Sequence, residues 1–498
     1  MNRSGGAPSI GRAILRLALA VVVAYAGLGA GLAWWQVFEA QRLTDDPGNP
    51  LVLAASRSAP RGRILDAAGR VLARSVKADD GTMRREYPAP AAAPVVGYKS
   101  LLFGASGIER AYDGALLGLS QLTPADQLLR KFRPDPYDPQ DVTLSIDLRL
   151  QTRAMRLLGD RHGAVVAIEP ATGRVLALAS TPTFDPARIA DPAGGRAYFE
   201  ELQKQPDESS PLINRATQGR YTPGSIFKIV TAVAGLGSGA ISPETKYEEQ
   251  PEEERTGFLV QGYRIRDGHH EFTGDTPLAL AGAVENSCNI WFARAGLEIG
   301  GPTLVEWAAR MGFGDSIPFE LPTAGSAVSG GGDEPGGFRD RVELASAAFG
   351  QGRTFVTPLQ MALVAATVAN DGTLMKPRLV DAVGTGGGAR RIGDEQWRRV
   401  LAPDDAGVIK AAMQDAVEGR FGRLFAGGAK VPGVPTAGKS GTAELGGEGE
   451  PHSWFIGFAP VDQPRIAVAV LVERAGFGRE AAVPLAGDVM EYWLDLER

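Results

Sequence analysis

The sequence predicts an α/β (α+β) protein in which a single N-terminal membrane helix precedes a small module and a larger mixed domain. Three observations lead to this prediction. Residues 17–35 form an uncharged, almost wholly apolar run. Apolar strand pairs with β-branched residues occur near 164–179 and again near 454–472. The stretch between those pairs has mainly helical patterns, so we expect one α/β domain that its own C-terminal strands close.

The composition argues against several kinds of function. At 498 residues the chain exceeds what one hydrophobic core usually serves, and its formal net charge of -6 without a basic stripe argues against nucleic acid as a partner. A single cysteine cannot form an intrachain disulfide. The four histidines are too few and too scattered for a metal site, and the pair His269-His270 lacks helical ligand spacing. We therefore expect no metal and no other cofactor.

The N-terminal apolar run predicts a membrane anchor, because it is long enough to cross a bilayer and three arginines precede it. By the positive-inside rule, residues 1–16 form a cytoplasmic tail, residues 17–36 form the anchor, and the rest of the chain lies outside the cytoplasm. A cleaved signal peptide is one alternative, although the run is longer than the usual signal core. A buried helix of a soluble domain is another, although such a helix rarely follows a basic tail.

Turn-rich and proline-rich patches divide the remainder of the chain. Residues 41–60 are polar and read as an exit linker, and further proline-rich patches bracket short, irregular strands. We therefore assign residues 37–145 to a modest N-terminal module and residues 146–498 to the main domain. The charged segment 246–273 fits no predicted element and is interpreted as a mobile flap or a partner surface.

Ser225 lies where a loop becomes a helix. Pro223 and Gly224 break the preceding structure, and residues 226–236 are apolar nearly all round, which predicts a centrally buried helix. A serine at such a helix start faces free backbone N–H groups that favour an alkoxide-like transition state. Lys228 returns to the same face three residues later. The alternative is an N-capping serine followed by an ordinary lysine whose ammonium group reaches solvent.

Lys228 can act as a base only if its pKa falls from ~10.4 to about 7, which burial together with a second cation can achieve. The chain should therefore bring another lysine close to it. Lys439, in a glycine-flanked segment before the closing strands, supplies that cation.

The residues after Lys439 suit substrate binding. Gly441 lets the backbone approach a ligand closely, and the hydroxyls of Ser440 and Thr442 can bind a carboxylate. The Thr442 N–H can join that of Ser225 as an oxyanion hole. A glycine-flanked loop with a surface lysine is the alternative interpretation.

Ser287 and Asn289 lie two residues apart after a predicted helix at 278–284, so that a loop could direct both into one cleft. An ordinary polar turn is the alternative. Cys288, between them, is interpreted as a small buried hydrophobe and not as a nucleophile.

The three elements Ser225-x-x-Lys228, Ser287-x-Asn289 and Lys439-Ser440-Gly441, in this order, resemble the penicillin-binding protein and serine β-lactamase superfamily. Ser440 replaces the commoner threonine and keeps the hydroxyl. Further segments resemble signatures of the class B penicillin-binding proteins, so that the resemblance covers roughly residues 60–475: Arg61–Asp66, Gly107–Glu109, Asn214–Ala216, Gly350–Gly352, Thr357–Gln360 and Trp454–Pro460.

This resemblance implies a pedestal domain on one anchor, carrying a transpeptidase domain with a central antiparallel sheet between helical layers. It implies that Ser225 attacks the penultimate D-Ala of a peptidoglycan stem peptide while Lys228 takes its proton. Ser287 would then relay a proton to the leaving amine and Asn289 would hold the peptide amide. Lys439 and Thr442 would bind the terminal carboxylate, and penicillins would acylate Ser225.

The resemblance also implies a bacterial inner-membrane protein that works with a polytopic glycosyltransferase of the RodA/FtsW kind. Two other functions compete with this interpretation. A β-lactamase shares the three motifs, but it needs a deacylating base and has no use for the pedestal signatures. The other is a penicillin-sensing receptor or a non-catalytic activator of a synthase; intact Ser225, Lys228 and Lys439 argue against a purely structural role, since a scaffold needs none of them.

Overall fold

The computed structural model describes residues 10–37, 60–79, 81–118, 138–267, 274–445 and 449–497. The predictions for the start of the cytoplasmic tail, for nearly all of the exit linker and for His269-His270 lie outside the described residues.

One long helix, α1 (Ile10–Val37), contains the whole apolar run that the sequence pointed to. Its residues Ile10–Trp35 are long and apolar enough to cross a membrane. A helix satisfies its own backbone hydrogen bonds, so it can be stable in hydrocarbon. The helix therefore has the properties that single-pass membrane anchoring requires.

The N-terminal module is built from short elements because proline and glycine interrupt its sequence frequently. In chain order these elements are β1 (Ile64–Leu65), β2 (Val71–Lys77), β3 (Met83–Glu86), α2 (Ala93–Val96), β4 (Lys99–Ser100), β5 (Gly104–Ala105), α3 (Gly107–Ala111), α4 (Asp113–Leu116) and β6 (Val142–Leu144).

The first half of the main domain contains the predicted hairpin and most of the helices. Its elements are α5 (Leu148–Leu158), β7 (Gly163–Ile168), β8 (Val175–Thr181), α6 (Pro186–Ala190), α7 (Gly195–Gln203), α8 (Lys228–Ser238), α9 (Gln250–Thr256), β9 (Phe258–Val260), β10 (Tyr263–Ile265), α10 (Leu280–Glu285), α11 (Asn289–Ile299), α12 (Gly301–Arg310) and α13 (Arg341–Ala347).

The second half returns to the sheet. Its elements are α14 (Pro358–Ala369), β11 (Thr373–Met375), β12 (Val380–Val383), β13 (Arg390–Arg391), β14 (Gln396–Arg399), α15 (Pro403–Glu418), α16 (Arg423–Ala426), β15 (Ala437–Ala443), β16 (His452–Ala459), β17 (Ile466–Val472) and α17 (Ala482–Leu496).

A five-stranded antiparallel sheet in the order β15-β16-β17-β7-β8 forms the centre of the main domain. Side chains alternate between its two faces, so each strand contributes to two separate cores. In β17, Ala467, Ala469 and Leu471 join the core that contains α8 and α14. Val468 and Val470 join the core that contains α5 and α17. The expected antiparallel sheet between helical layers is thus confirmed. Helix α8 is buried in the first of these two cores.

A second, six-stranded sheet has the order β13-β12-β6-β1-β2-β3. Strand β6 pairs in parallel with β1 and antiparallel with β12. Because β12 and β13 come from residues 380–391, this sheet combines strands from both sides of residue 145. The division of the chain at that residue stays a prediction.

Candidate active site

Ser225 lies in a short 3-10 turn, Gly224–Phe227, that leads directly into α8. Gly224 has φ +59°, and its N–H donates to the Gly350 carbonyl at 2.8 Å. A Cβ on Gly224 would lie 2.3 Å from the Thr442 carbonyl oxygen, so only glycine fits here. The turn therefore holds the half-buried Ser225 against the edge strand β15.

Two buried lysines meet at the hydroxyl of Ser287. The Lys228 ammonium lies 3.2 Å and the Lys439 ammonium 2.9 Å from Ser287 Oγ. Lys228 also donates to Asn289 Oδ1 at 2.7 Å and to the Ser287 carbonyl. The exposed fractions of the two lysines are only 0 % and 1 %. Four of the predicted residues thus form one hydrogen-bonded network.

Burial lowers the pKa of Lys228 to about 8, although the nearby carboxylate of Asp267 opposes this shift. Burial and then the charge of Lys228 lower the pKa of Lys439 well below its usual value. Two ammonium groups this close disfavour each other's charged form, so the pair loses one proton readily. The expected lysine partner is present, and its own pKa is lowered as well.

Ser287 has φ +59°, a left-handed conformation that is uncommon for residues other than glycine. Such a conformation costs about 1–3 kcal/mol and persists where surrounding contacts enforce it. In this conformation both the carbonyl and the hydroxyl of Ser287 accept hydrogen bonds from Lys228. The conformation of the loop between α10 and α11 therefore gives the Lys228 ammonium two hydrogen-bond acceptors on one residue.

Strand β15 carries Lys439, Ser440, Gly441 and Thr442, where the sequence predicted a segment just before the closing strands. A Cβ on Gly441 would lie 2.9 Å from Ile226 Cγ2 and 3.0 Å from the Pro223 carbonyl oxygen. Gly441 is therefore required for close packing of the nucleophile turn on the strand. Ser440 and Thr442 are half-buried, and the Thr442 hydroxyl accepts a hydrogen bond from the Gly478 N–H at 3.2 Å.

Ser225 does not join the lysine network directly. Its hydroxyl makes no hydrogen bond to another residue of the described part of the chain, whereas Lys228, Ser287, Asn289 and Lys439 are already bonded together. Catalytic hydrogen bonds are often long or poorly aligned before substrate binds, so this arrangement is compatible with a nucleophile.

Sequence reasoning missed two residues near the network. The side chain of Gln351 reaches the Thr442 carbonyl at 3.5 Å. Asp267 follows β10 and accepts a hydrogen bond from the Ile290 N–H at 3.1 Å, beside Asn289. Both belong to segments that the sequence had singled out, but no local pattern marked either residue as part of the site.

A cluster of Glu254, Asp267 and Cys288 brings ligand-type atoms within 4.8 Å of one another. The thiol of Cys288 donates to Glu254 at 3.1 Å, and burial, followed by the two carboxylates, raises the pKa of that thiol. Cys288 therefore stays a protonated, buried thiol, which suits its predicted role as a small packing residue. That the enzyme uses no metal remains a prediction.

Comparison with known proteins identifies the family. Residues 163–491 match the model of the penicillin-binding protein transpeptidase domain, and residues 61–136 match the penicillin-binding protein A dimerisation domain. The chain belongs to the penicillin-binding proteins. The predicted resemblance to class B members is confirmed, and this penicillin-binding protein is a serine-type peptidoglycan D,D-transpeptidase.

Relatives of this penicillin-binding protein share nearly its whole length. It is 36% identical to the peptidoglycan D,D-transpeptidase PbpA of Mycolicibacterium smegmatis, over 93% of each chain. It is 31% identical to the transpeptidase MrdA of Acinetobacter baumannii, over 79% of this chain and 60% of that protein. The ceftriaxone acyl-enzyme structure of penicillin-binding protein A from M. tuberculosis superposes with a TM-score of 0.78 at 32% identity, covering 88% of this chain and 99% of that chain.

Proposed function

We propose that this transpeptidase cross-links stem peptides through an acyl-enzyme on Ser225 and that β-lactams acylate the same residue. The observation that carries the proposal is the meeting of Lys228 and Lys439 at the Ser287 hydroxyl, next to the turn that holds Ser225. A scaffold protein has no need to bury two lysines together, because each buried charge is costly. A solved relative that carries ceftriaxone as an acyl-enzyme supports the same chemistry.

Acylation begins when Ser225 Oγ attacks the carbonyl carbon of the penultimate D-Ala. Neutral Lys228 takes the hydroxyl proton as the C–O bond forms. The peptide C–N bond then breaks, and the leaving D-Ala amine receives a proton through Ser287, which both lysines contact. In the second half of the reaction an acceptor amine attacks the ester carbonyl, the C–O bond to Ser225 breaks as the new amide forms, and a proton from the amine passes to Ser225 Oγ.

The free edge of β15 supports the proposed oxyanion hole. Thr442 pairs with Ser453 of β16, but its carbonyl accepts from Gln351 and lies beside Gly224. In an antiparallel strand the N–H and C=O of one residue point to the same edge. The Thr442 N–H therefore points towards the nucleophile turn, where it can join the Ser225 N–H in stabilising a developing oxyanion.

Substrate binding involves the other predicted residues. Ser440 and Thr442 lie two residues apart on β15, so their hydroxyls share one face and suit the terminal carboxylate. A carboxylate next to Lys439 would restore the charge that burial and Lys228 suppress. The Asn289 amide, which already accepts from Lys228, is placed to hold the amide of the stem peptide.

The anchor and the pedestal suggest where the enzyme works. We infer that α1 is a single uncleaved span in the bacterial inner membrane, that its N-terminus is cytoplasmic, and that the two domains are assigned to residues 37–145 and 146–498. A polytopic glycosyltransferase of the RodA/FtsW kind is the proposed partner, since the two matched domains fill most of the chain after the anchor. Purification of the anchored chain from its own membranes without any polytopic protein would contradict this partnership.

A mass measurement tests the proposed function. The full-length protein in detergent, mixed with penicillin G, is expected to gain the mass of one intact penicillin. Digestion should place that mass on the peptide that contains Ser225. A stable protein without added mass, or an adduct on another residue, would refute the proposal. Rapid release of the hydrolysed penicillin would instead support the β-lactamase alternative.

The pH dependence of acylation tests the role of Lys228. Because the lysine must be neutral to accept a proton and its pKa is about 8, the acylation rate should rise with pH up to about 8 and then level off. Below that pH the rate should fall about tenfold per unit, in step with the neutral fraction. Stopped-flow acylation by a fluorescent penicillin measures this profile.

The matched variant is Lys228→Ala, for which we expect acylation at least ~10²-fold slower, as for loss of a general base. Unchanged acylation kinetics in this variant would assign the base to another group.

A further inference from the structure

The segment that the sequence left unplaced packs against the motif that carries Ser287 and Asn289. Arg294 of α11 forms two hydrogen bonds with Glu253 of α9, both at 2.6 Å. Tyr247 donates to Glu298 at 2.6 Å. These contacts fix α9 and the β9–β10 hairpin on α11, so the described part of the segment, residues 246–267, supports the site. Residues 268–273 lie outside the described part of the chain.

The end of this hairpin reaches the first turn of α11. Asp267 Oδ2 accepts a hydrogen bond from the Ile290 N–H at 3.1 Å, and the Arg266 carbonyl accepts one from the Asn289 amide at 3.5 Å. The other end of the same amide, Asn289 Oδ1, accepts from Lys228 at 2.7 Å. Asn289 is therefore held between the hairpin and the catalytic lysine, and the geometry depends on residues 266–267.

Charges of opposite sign lie on the two sides of this motif. Lys228 and Lys439 contact Ser287 on one side, while Asp267 and Glu254 lie together beside Cys288 on the other. The Cys288 thiol donates a hydrogen bond to the carboxylate of Glu254. The negative charge of Asp267 acts on Lys228 and favours the charged form of that lysine.

We infer that Asp267 is a positioning residue for transpeptidation. It fixes the start of α11 so that Asn289 meets Lys228, and its negative charge offsets the positive charge of the lysine pair. This inference rests on the proposed function of Ser225 and Lys228, since it concerns the same site. Its effect on the reaction passes through Asn289 and Lys228, because Asp267 accepts a hydrogen bond from the N–H of Ile290, the residue next to Asn289.

The sign of the electrostatic effect follows from the groups that face Lys228. Lys439 on β15 disfavours a second charge, whereas the carboxylate of Asp267 after β10 favours the charged form of Lys228. Cys288 before α11 is a protonated, uncharged thiol. The carboxylate of Glu254 in α9 raises the pKa of the Cys288 thiol. Removing the Asp267 charge should therefore lower the pKa of Lys228 further, so that the neutral base forms at lower pH.

The experiment compares acylation profiles of the full-length enzyme with a fluorescent penicillin between pH 5.5 and pH 10. Asp267→Asn keeps an oxygen for the Ile290 N–H and removes the charge. We expect the pH at which its acylation rate is half of the plateau, the midpoint of the acidic limb, to fall by about 0.5–1 unit. This is a small shift for the loss of a neighbouring opposite charge. Asp267→Ala should show the same movement and, in addition, a several-fold lower plateau rate, because Asn289 loses its support.

Two further variants separate charge from folding. Asp267→Glu retains the charge and should keep the acidic limb of the wild type. Glu254→Gln changes the neighbouring acid of the same cluster, and its limb should also stay in place. A profile of Asp267→Asn that superimposes on the wild type would overturn the inference, and so would an equal movement in Glu254→Gln. Failure of the proposed function would be recognised separately, since the wild type would then carry no penicillin on Ser225.

Discussion

Ser225→Ala is expected to abolish the covalent penicillin adduct while the protein stays folded. The adduct requires an oxygen at this position, and the turn from Gly224 to Phe227 delivers no other hydroxyl to the cleft. The Ser225 hydroxyl makes no hydrogen bond within the described residues, so its removal should change stability by no more than ~0.5 kcal/mol. Intact mass after penicillin treatment and the thermal midpoint of the untreated protein measure the two halves of this prediction.

The matched control is Ser440→Ala on β15. Its hydroxyl belongs to the proposed carboxylate site, so acylation should become slower but the adduct should still form. Full labelling of Ser225→Ala would show that another residue is acylated. An unfolded Ser225→Ala protein would show that the serine supports the turn structurally, contrary to the contacts described here.

Much of the site could be predicted because its residues occur in short local patterns. Ser225 and Lys228 are one helical turn apart, and Ser287 and Asn289 flank a single residue. The need for a second lysine followed from the pKa that a lysine base requires, and the chain contains Lys439 at 2.9 Å from Ser287 Oγ. Local sequence and elementary electrostatics were sufficient for these residues.

The size of the pKa shift of Lys228 could not be predicted. The sequence argument required a pKa of about 7, yet burial lowers it only to about 8, because the negative charge of Asp267 opposes the shift. Asp267 is distant from both motifs in sequence, and only the packing of the hairpin on α11 brings it near.

In the fold, too, features that arise from neighbouring residues could be predicted, whereas features that depend on distant residues could not. Alternating and continuous apolar runs predicted the β7–β8 and β16–β17 hairpins, because strand pairs joined by short turns are local. The sheet that joins β6 with β12 depends on residues more than two hundred positions apart. Such pairing leaves no local pattern, so a sheet that joins strands from both sides of residue 145 could not be predicted.

Replacing the buried Glu109 of the pedestal should lower the free energy of unfolding more than replacing the surface acid Glu86. Its carboxylate is fully buried and bonds Arg61 Nε at 2.7 Å and Arg85 Nε at 2.6 Å. Both arginines are themselves buried. Glu109→Gln would remove the counter-charge with which Arg85 pairs and would leave Arg61 with Asp113 alone. Breaking a buried ion pair in this way typically costs about 3–5 kcal/mol. Hydrogen exchange of the amides of β2 in the full-length protein would report the lower opening free energy.

Glu86→Gln provides the comparison, since Glu86 pairs with Arg74 and Arg84 at the surface, where solvent screening leaves ion pairs with little effect on stability. Equal effects of the two substitutions would mean that the buried cluster is not what stabilises the pedestal. Acylation of Ser225 separates stability from catalysis, because none of these residues contacts the lysine network. If Glu109→Gln opens the pedestal but acylates at the wild-type rate, then the link between Arg61 and Glu109 serves the pedestal alone. A slower acylation would instead mean that the shared sheet transmits the damage to the transpeptidase domain.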